Sequence, residues 1–319
     1  MNNPSLSEIL NIKHPIIMAP MFLVTNTKMV KEAMKAGIAG AIPAHNFRTI
    51  EGFELALQEL EQAKTEGGAW GVNLIVNRSN PLLNEQLLAC LRHQPDFVIT
   101  SLGDPSGIVE SCKPEGIKVF CDVIDSKHAR KAEEALADAL IAVNNQAGGH
   151  LGPYSPEELI PTLKSETNLP VISAGGVGDS EGVQRMLNLG ACGVSIGSPF
   201  IACEESPVSA EYKKAVIDYG SGDIVTTKKL SGVSCTIIKT PYVEKIGTER
   251  NLLETLSHSL PFLKKTIKTL TFYRGMSALR KAAFSATYKT VWCAGPSIDY
   301  VKAIVPLRDI VVQLTKSAE

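Results

Sequence analysis

Along roughly the first two hundred residues, apolar and polar positions repeat one rhythm. A short run rich in β-branched residues gives way to a turn, and then to a longer stretch with apolar residues at helical spacing. The short runs are "PIIMAP" (15–20), "GAIPA" (40–44), "WGVNLIV" (70–76), "DFVITSL" (96–102), "KVFCDVI" (118–124), "DALIAVNN" (138–145), "PVISAGG" (170–176) and "GVSIGSP" (193–199). Between them lie amphipathic segments such as "TKMVKEAMKAG" (27–37) and "SKHARKAEEALA" (126–137). Several of these close with Gly, which ends helices because it accepts a left-handed backbone. Strands alternating with helices imply βαβ units and a parallel sheet. Eight in succession predict a closed (β/α)8 TIM barrel. A doubly wound open sheet is the alternative, disfavoured because no GxGxxG opens the helix after the first strand.

Beyond the eighth strand the rhythm breaks. Residues 203–247 show no βα cadence, 251–289 read as mostly helical, and 291–314 resume an apolar periodic pattern. The expected organisation is a barrel of 1–205 and 290–319 around an insertion, 206–289. The insertion is read as a mostly helical lid forming one wall of a substrate pocket, and the last helix as returning to the barrel. With 319 residues the chain can bury a large core. Its 44% hydrophobic and 20% charged residues suit a globular protein.

A net charge of −1 with no basic patch argues against nucleic acid. "LKKTIKTL" (263–270) reads as a solvated helix face. No run has the length of a membrane span, and the N-terminus lacks a signal peptide's apolar core, so a cytoplasmic location without membrane contact is expected. Seven cysteines form no CxxC pair and no Cys/His cluster at zinc spacing. They read as free thiols in a reducing compartment, with no metal site.

In such a barrel the loops after the strands build the site. After strand seven, Gly175 and Gly176 let the backbone approach a ligand, and Asp179 or Ser180 caps a helix. After strand eight come Gly197 and Ser198. These two loops are where barrels place a phosphate on backbone N–H groups. After strand one, Ala19 and Pro20 lead to Met21, whose thioether can lie against a flat apolar ring. Asn73, inside strand three, needs a partner when buried, either neighbouring backbone or the edge of a heterocycle. Ser101 ends strand four and Asp122 interrupts strand five at the same mouth. Together these describe a phosphorylated flat cofactor. Flavin mononucleotide (FMN) fits, and a plain sugar phosphate fits less fully. Strand six ends in "NNQAGGHLGP" (144–153), where Ala147, Gly148 and Gly149 deliver His150 to the mouth. An uncrowded imidazole there suits proton abstraction or donation.

In order and spacing, "PIIMAPM", "GVNLIVN", "QAGGHLGP", "VISAGGVGD" and "VSIGSPFI" resemble the nitronate monooxygenase family, formerly called 2-nitropropane dioxygenase. The resemblance covers nearly the whole chain. It implies a (β/α)8 barrel with an inserted helical domain and non-covalent FMN. Met21 and Asn73 would lie at the flavin, Gly176, Gly197 and Ser198 would hold its phosphate, and His150 would be the catalytic base. Three places depart from the pattern: Gln146 stands where Glu is common, Gly295 is followed by Pro296, and "AHNFR" (44–48) sets His45, Asn46 and Arg48 on the loop after strand two. His45 and Arg48 are therefore taken as weaker substrate candidates. The expected reaction is oxidation of a nitronate or nitroalkane by O2 to a carbonyl compound and nitrite. The rival is a reductase using NAD(P)H as co-substrate for a quinone or an enoyl thioester, with Arg48 or Lys239 serving a nucleotide phosphate or carrier. A third reading is a phosphate-ligand-binding barrel without redox turnover.

Overall fold

A computed structural model describes residues 3–64, 66–77, 80–229, 233–248 and 291–316. Eight strands close into a parallel barrel: β1 (Ile16–Met18), β2 (Ala39–Pro43), β3 (Ala69–Ile75), β4 (Phe97–Ser101), β5 (Lys118–Val123), β6 (Ala139–Val143), β8 (Val171–Ala174) and β9 (Gly193–Ile196). Closure is the pairing of β1 with β9, Ile16 opposite Val194. All eight expected strands are present, each within the run that predicted it or one residue from it.

Helices α2 (Thr27–Lys35), α3 (Ile50–Gln62), α4 (Leu83–His93), α5 (Ser106–Cys112), α6 (Ser126–Glu134), α7 (Pro156–Glu166) and α8 (Ser180–Asn188) fill the crossovers. Several start where a short polar side chain accepts an otherwise orphaned N–H: Asn26 for α2, Thr49 for α3, Asp125 for α6 and Asp179 for α8. Their apolar faces pack on the outward residues of the strands, including Ile16, Met18, Ile42, Val72 and Val98.

Alternate strand residues turn inward. Ile17, Ala39, Ala41, Phe97, Ile99, Phe120, Ile141 and Ile172 fill the interior, where Phe97 and Phe120 stack with centroids 5.2 Å apart. A short helix not located from sequence, α1 (Leu6–Leu10), joins this cluster through Leu6 and Leu10. Ser5 and Glu8 form its capping box, and the Leu6 N–H bonds the Cys192 carbonyl at 2.8 Å. A Cβ on Gly193 would lie 2.6 Å from the Leu6 Cβ, so the absence of a side chain there admits the plug.

After the barrel come α9 (Ala210–Asp218), β10 (Ile224–Thr227), β11 (Cys235–Ile238) and α10 (Pro241–Ile246). The described part of the expected lid is thus helix, hairpin, helix. The strands went unseen because they pair antiparallel outside the βα cadence that located the barrel strands. β11 pairs antiparallel with both β10 and a two-residue strand, β7 (Gly149–His150). The rest of the expected lid, 249–290, and the basic stretch 263–270 lie outside the described residues. The last helix, α11 (Leu307–Thr315), returns to pack between α2 and α8.

Candidate active site

At the C-terminal mouth lies a cavity of about 730 Å³. Ala19, Pro20, Met21, His45, Asn73, Ser101, Asp122, Ala147, Gly148, Gly149, His150, Gly175, Gly176, Gly197 and Ser198 all line it. Of the residues proposed from sequence, Arg48 does not. The turn Ala44–Asn46 ends in Phe47, whose ring packs on Phe53, and Arg48 follows as an exposed residue just before the Thr49 cap of α3. Lys239 is also outside the lining and pairs with Glu244 at 3.4 Å.

Strand alternation puts Asn73, Ser101 and Asp122 on the interior of three successive strands, one layer below the mouth. The Asn73 amide donates to the Ser101 Oγ at 2.7 Å and to the Ile99 carbonyl at 3.3 Å. The Ser101 hydroxyl in turn donates to Asp122 Oδ2. A carbonyl can only accept, so the amide nitrogen must face Ile99, and Asn73 Oδ1 is the atom left for a bound ring. Burial lifts the Asp122 carboxyl to about 6, partly offset by the Ser101 hydrogen bond.

The loop after β1 is folded by Thr25, whose hydroxyl accepts from the Met21 N–H at 3.0 Å and donates to the Ala19 carbonyl at 3.1 Å. Asn46 pins the same loop, accepting from the Leu23 N–H and donating to the Thr25 carbonyl, both at 2.8 Å. It holds Leu23 in a left-handed conformation (φ 59°). Thr25 was not singled out from sequence, and Asn46 was named only as a residue of the loop after strand two, without this role. The Met21 thioether lies beside Gly197, where a Cβ would be 3.3 Å from Sδ.

Gly175 and Gly176 both have positive φ, 116° and 79°. A Cβ on Gly175 would come within 2.3 Å of Asn144 Oδ1 and 2.5 Å of the Ala147 nitrogen. Asn144 is the organiser here. Fully buried, it accepts from the Gln146 N–H at 2.8 Å and donates to the Gly175 carbonyl at 3.1 Å, binding the loop after β6 to the loop after β8. It stands in the quoted "NNQAGGHLGP", but its type alone did not reveal a bond to a loop 31 residues away. A second clamp comes from the end of the chain: the Gly295 N–H donates to the buried Ser198 Oγ at 2.8 Å. A Cβ on Gly148 would sit 2.7 Å from that oxygen and 2.9 Å from the Gly295 nitrogen, so only glycine fits.

His150 lies on β7, opposite Cys235 of β11. The Thr236 hydroxyl donates to the Ala147 carbonyl at 2.7 Å and fixes the loop that carries it. The imidazole is accessible from the cavity yet ringed by protein, and the lost hydration lowers its pKa. It is therefore neutral at pH 7 and can accept a proton. His45 is lowered by burial too. Tyr212 and Cys293 bring α9 and the last segment into the same wall, with the tyrosine hydroxyl bonded to the Cys293 carbonyl and its ring stacked on Trp292.

A parallel (β/α)8 barrel with its cavity, glycine cradle and neutral imidazole all at the C-terminal mouth has the form of a barrel enzyme. Residues 79–317 match the family model described as nitronate monooxygenase, and the chain belongs to that family of oxidoreductases.

Among curated relatives it is similar to the (3aS,4S,5R,7aS)-5-hydroxy-7a-methyl-1-oxo-octahydro-1H-indene-4-carboxyl-CoA dehydrogenase of Rhodococcus jostii, 26% identical over 288 residues, 88% of this chain and 79% of that one. It is also similar to a probable nitronate monooxygenase of Staphylococcus aureus, 27% identical over 290 residues, 77% of this chain and 81% of that one. Among solved structures, FabK from Thermotoga maritima superimposes with a TM-score of 0.83 at 26% identity, covering 97% of this chain and 94% of that one. Nitroalkane oxidase from Streptomyces ansochromogenes shares the fold, with a TM-score of 0.76 at 19% identity over 97% and 96% of the two chains. Among the described residues no helix is long and apolar enough to cross a membrane.

Proposed function

We propose that this protein is an FMN-dependent oxidoreductase that oxidises nitronates and nitroalkanes with O2 to a carbonyl compound and nitrite. The observation that carries the reading is a neutral imidazole held at the mouth of a cavity, on a loop that adjoins the glycine turns after β8 and β9. The chain fits FMN. Gly175 and Gly176 supply backbone at positions where no Cβ would fit, and Gly197 and Ser198 add backbone and a hydroxyl for a phosphate. Met21 offers a soft apolar contact to the ring, and Asn73 Oδ1 accepts from a ring N–H. The first βα turn carries no fingerprint for a second nucleotide, which favours FMN over FAD. When bound, the flavin takes electrons from the substrate and passes them to oxygen.

His150 removes the proton beside the nitro group, a carbon acid made acidic by charge delocalised onto the nitro oxygens. The Thr236–Ala147 bond and the β7–β11 ladder keep the imidazole in place. A preformed nitronate needs no such step.

A second reading rests on the shape of the cavity, which runs beyond the flavin region between the loops after β4 and β5 to Asp104, His128 and Lys131. That length suits an acyl thioester, a substrate type carried in the name of the Rhodococcus relative. The reaction would then use NADH or NADPH. Heat release and mass identification of the cofactor test the flavin, and recovery of FAD or of no flavin overturns it. Anaerobic stopped-flow reduction by a nitronate, NADH and NADPH separates the two readings. Fast bleaching by the nitronate supports the first, and bleaching by a nicotinamide alone supports the second.

A further inference from the structure

Two cysteines far apart in sequence meet in the outer wall of the cavity. Cys235 opens β11, directly across the ladder from His150. Cys293 lies in the segment leading to the Gly295 clamp. Their sulfurs are 3.7 Å apart, and both residues line the cavity. The backbones that carry them are tied together, since the Ile238 N–H donates to the Trp292 carbonyl at 2.8 Å. By contrast, Cys90, Cys112 and Cys203 are buried in the core and do not line the cavity. The catalytic reading uses neither the Cys235 nor the Cys293 side chain.

We propose that Cys235 and Cys293 form a peroxide-responsive dithiol that closes to a disulfide on the wall of the active-site cavity. The oxidant is hydrogen peroxide, the two-electron reduction product of oxygen. One cysteine thiolate attacks a peroxide oxygen. An S–O bond forms, the O–O bond breaks, and the departing hydroxide takes a proton to become water. The second thiol then attacks the sulfenic sulfur and gives its proton to the leaving oxygen. The S–S bond forms, the S–O bond breaks, and a second water leaves. Two thiols lose two electrons and two protons, and one peroxide becomes two waters. The sulfurs need only close from 3.7 Å to the ~2.0 Å of a bond, within reach of side-chain rotation. The Cys235 contact, together with burial, pushes the Cys293 thiol well up, so Cys293 rests as the protonated thiol. Closure would bind β11, and through it β7 and His150, to the segment holding the cradle.

The test uses the full chain as purified, reduced with dithiothreitol, desalted and titrated with hydrogen peroxide. Alkylation, digestion and mass mapping follow. The expected result is a linked peptide pair joining Cys235 to Cys293, lighter by two hydrogens and separated again by dithiothreitol, with the thiol count falling from seven to five. In Cys293→Ser, Cys235 should stop at a sulfenic acid that dimedone traps, with circular dichroism checking that the variant folds. If it does not fold, the wild-type map decides alone. Linkage to any other cysteine overturns the proposal. So does oxidation of the two sulfurs to separate sulfinic or sulfonic acids, or a pair that stays reduced while peroxide oxidises other cysteines.

Discussion

Burial lowers the pKa of His150, so the imidazole stays neutral to lower pH than an ordinary histidine, which titrates in the range near 6.5. For a neutral nitroalkane, kcat/KM should hold its plateau through that range and fall only at lower pH, a profile that steady-state assays across pH 5 to 8 would read. His150→Ala should slow oxidation of the neutral nitroalkane by about 10²–10⁴-fold, the usual worth of a general base, and a preformed nitronate far less. Equal losses on both substrates would assign the imidazole to binding rather than proton transfer.

Asp122 works in the opposite sense. Its folded-state value of about 6 lies above the ordinary aspartate value of 3.8, so the folded protein holds the proton more tightly than the unfolded chain. Its contribution to stability is therefore present below about pH 4 and is lost as pH rises to about 6. Asp122→Asn should remove that decline, and melting temperatures of the two cofactor-free proteins from pH 4 to 7 would compare them.

Among the elements, α1 closes the end of the barrel away from the cavity with a single fully buried leucine. Leu6→Ala should cost about 2–5 kcal/mol, the range for emptying a packed leucine site, as measured by denaturant unfolding. Flavin content at low temperature should change little, because the cradle lies at the other end. The barrel strands were legible because each is a β-branched run between turn residues, repeated until the count reached eight. The glycine turns lining the mouth were legible because Gly175–Gly176 and Gly197–Ser198 directly follow strands seven and eight. What stayed hidden depends on distance in sequence. α1 is five residues long and its partner is Gly193. β7 is two residues long and exists because β11, some 85 residues later, pairs with it. Arg48 looked like an anion contact in "AHNFR" because a sequence does not reveal that a turn has ended and a surface helix is about to begin.

At the scale of the whole molecule, the site is assembled from both ends of the described chain. The β6 and β8 loops are joined by Asn144, and residues near the C-terminus close over them through Gly295 and Ser198. Gly148→Ala should push this closure apart, since its Cβ would meet a backbone nitrogen at 2.9 Å as well as the Ser198 hydroxyl. The variant should purify with much less flavin than wild type at similar helix content, as absorbance at 450 nm and circular dichroism would report. The same closure imposes an order in time. A chain leaving the ribosome can pair β1 with β9 once about 196 residues are free, but Gly295 arrives roughly a hundred residues later. Between those moments a nascent barrel would have its walls and no finished cradle, and capture of the cofactor would wait for the last stretch of translation.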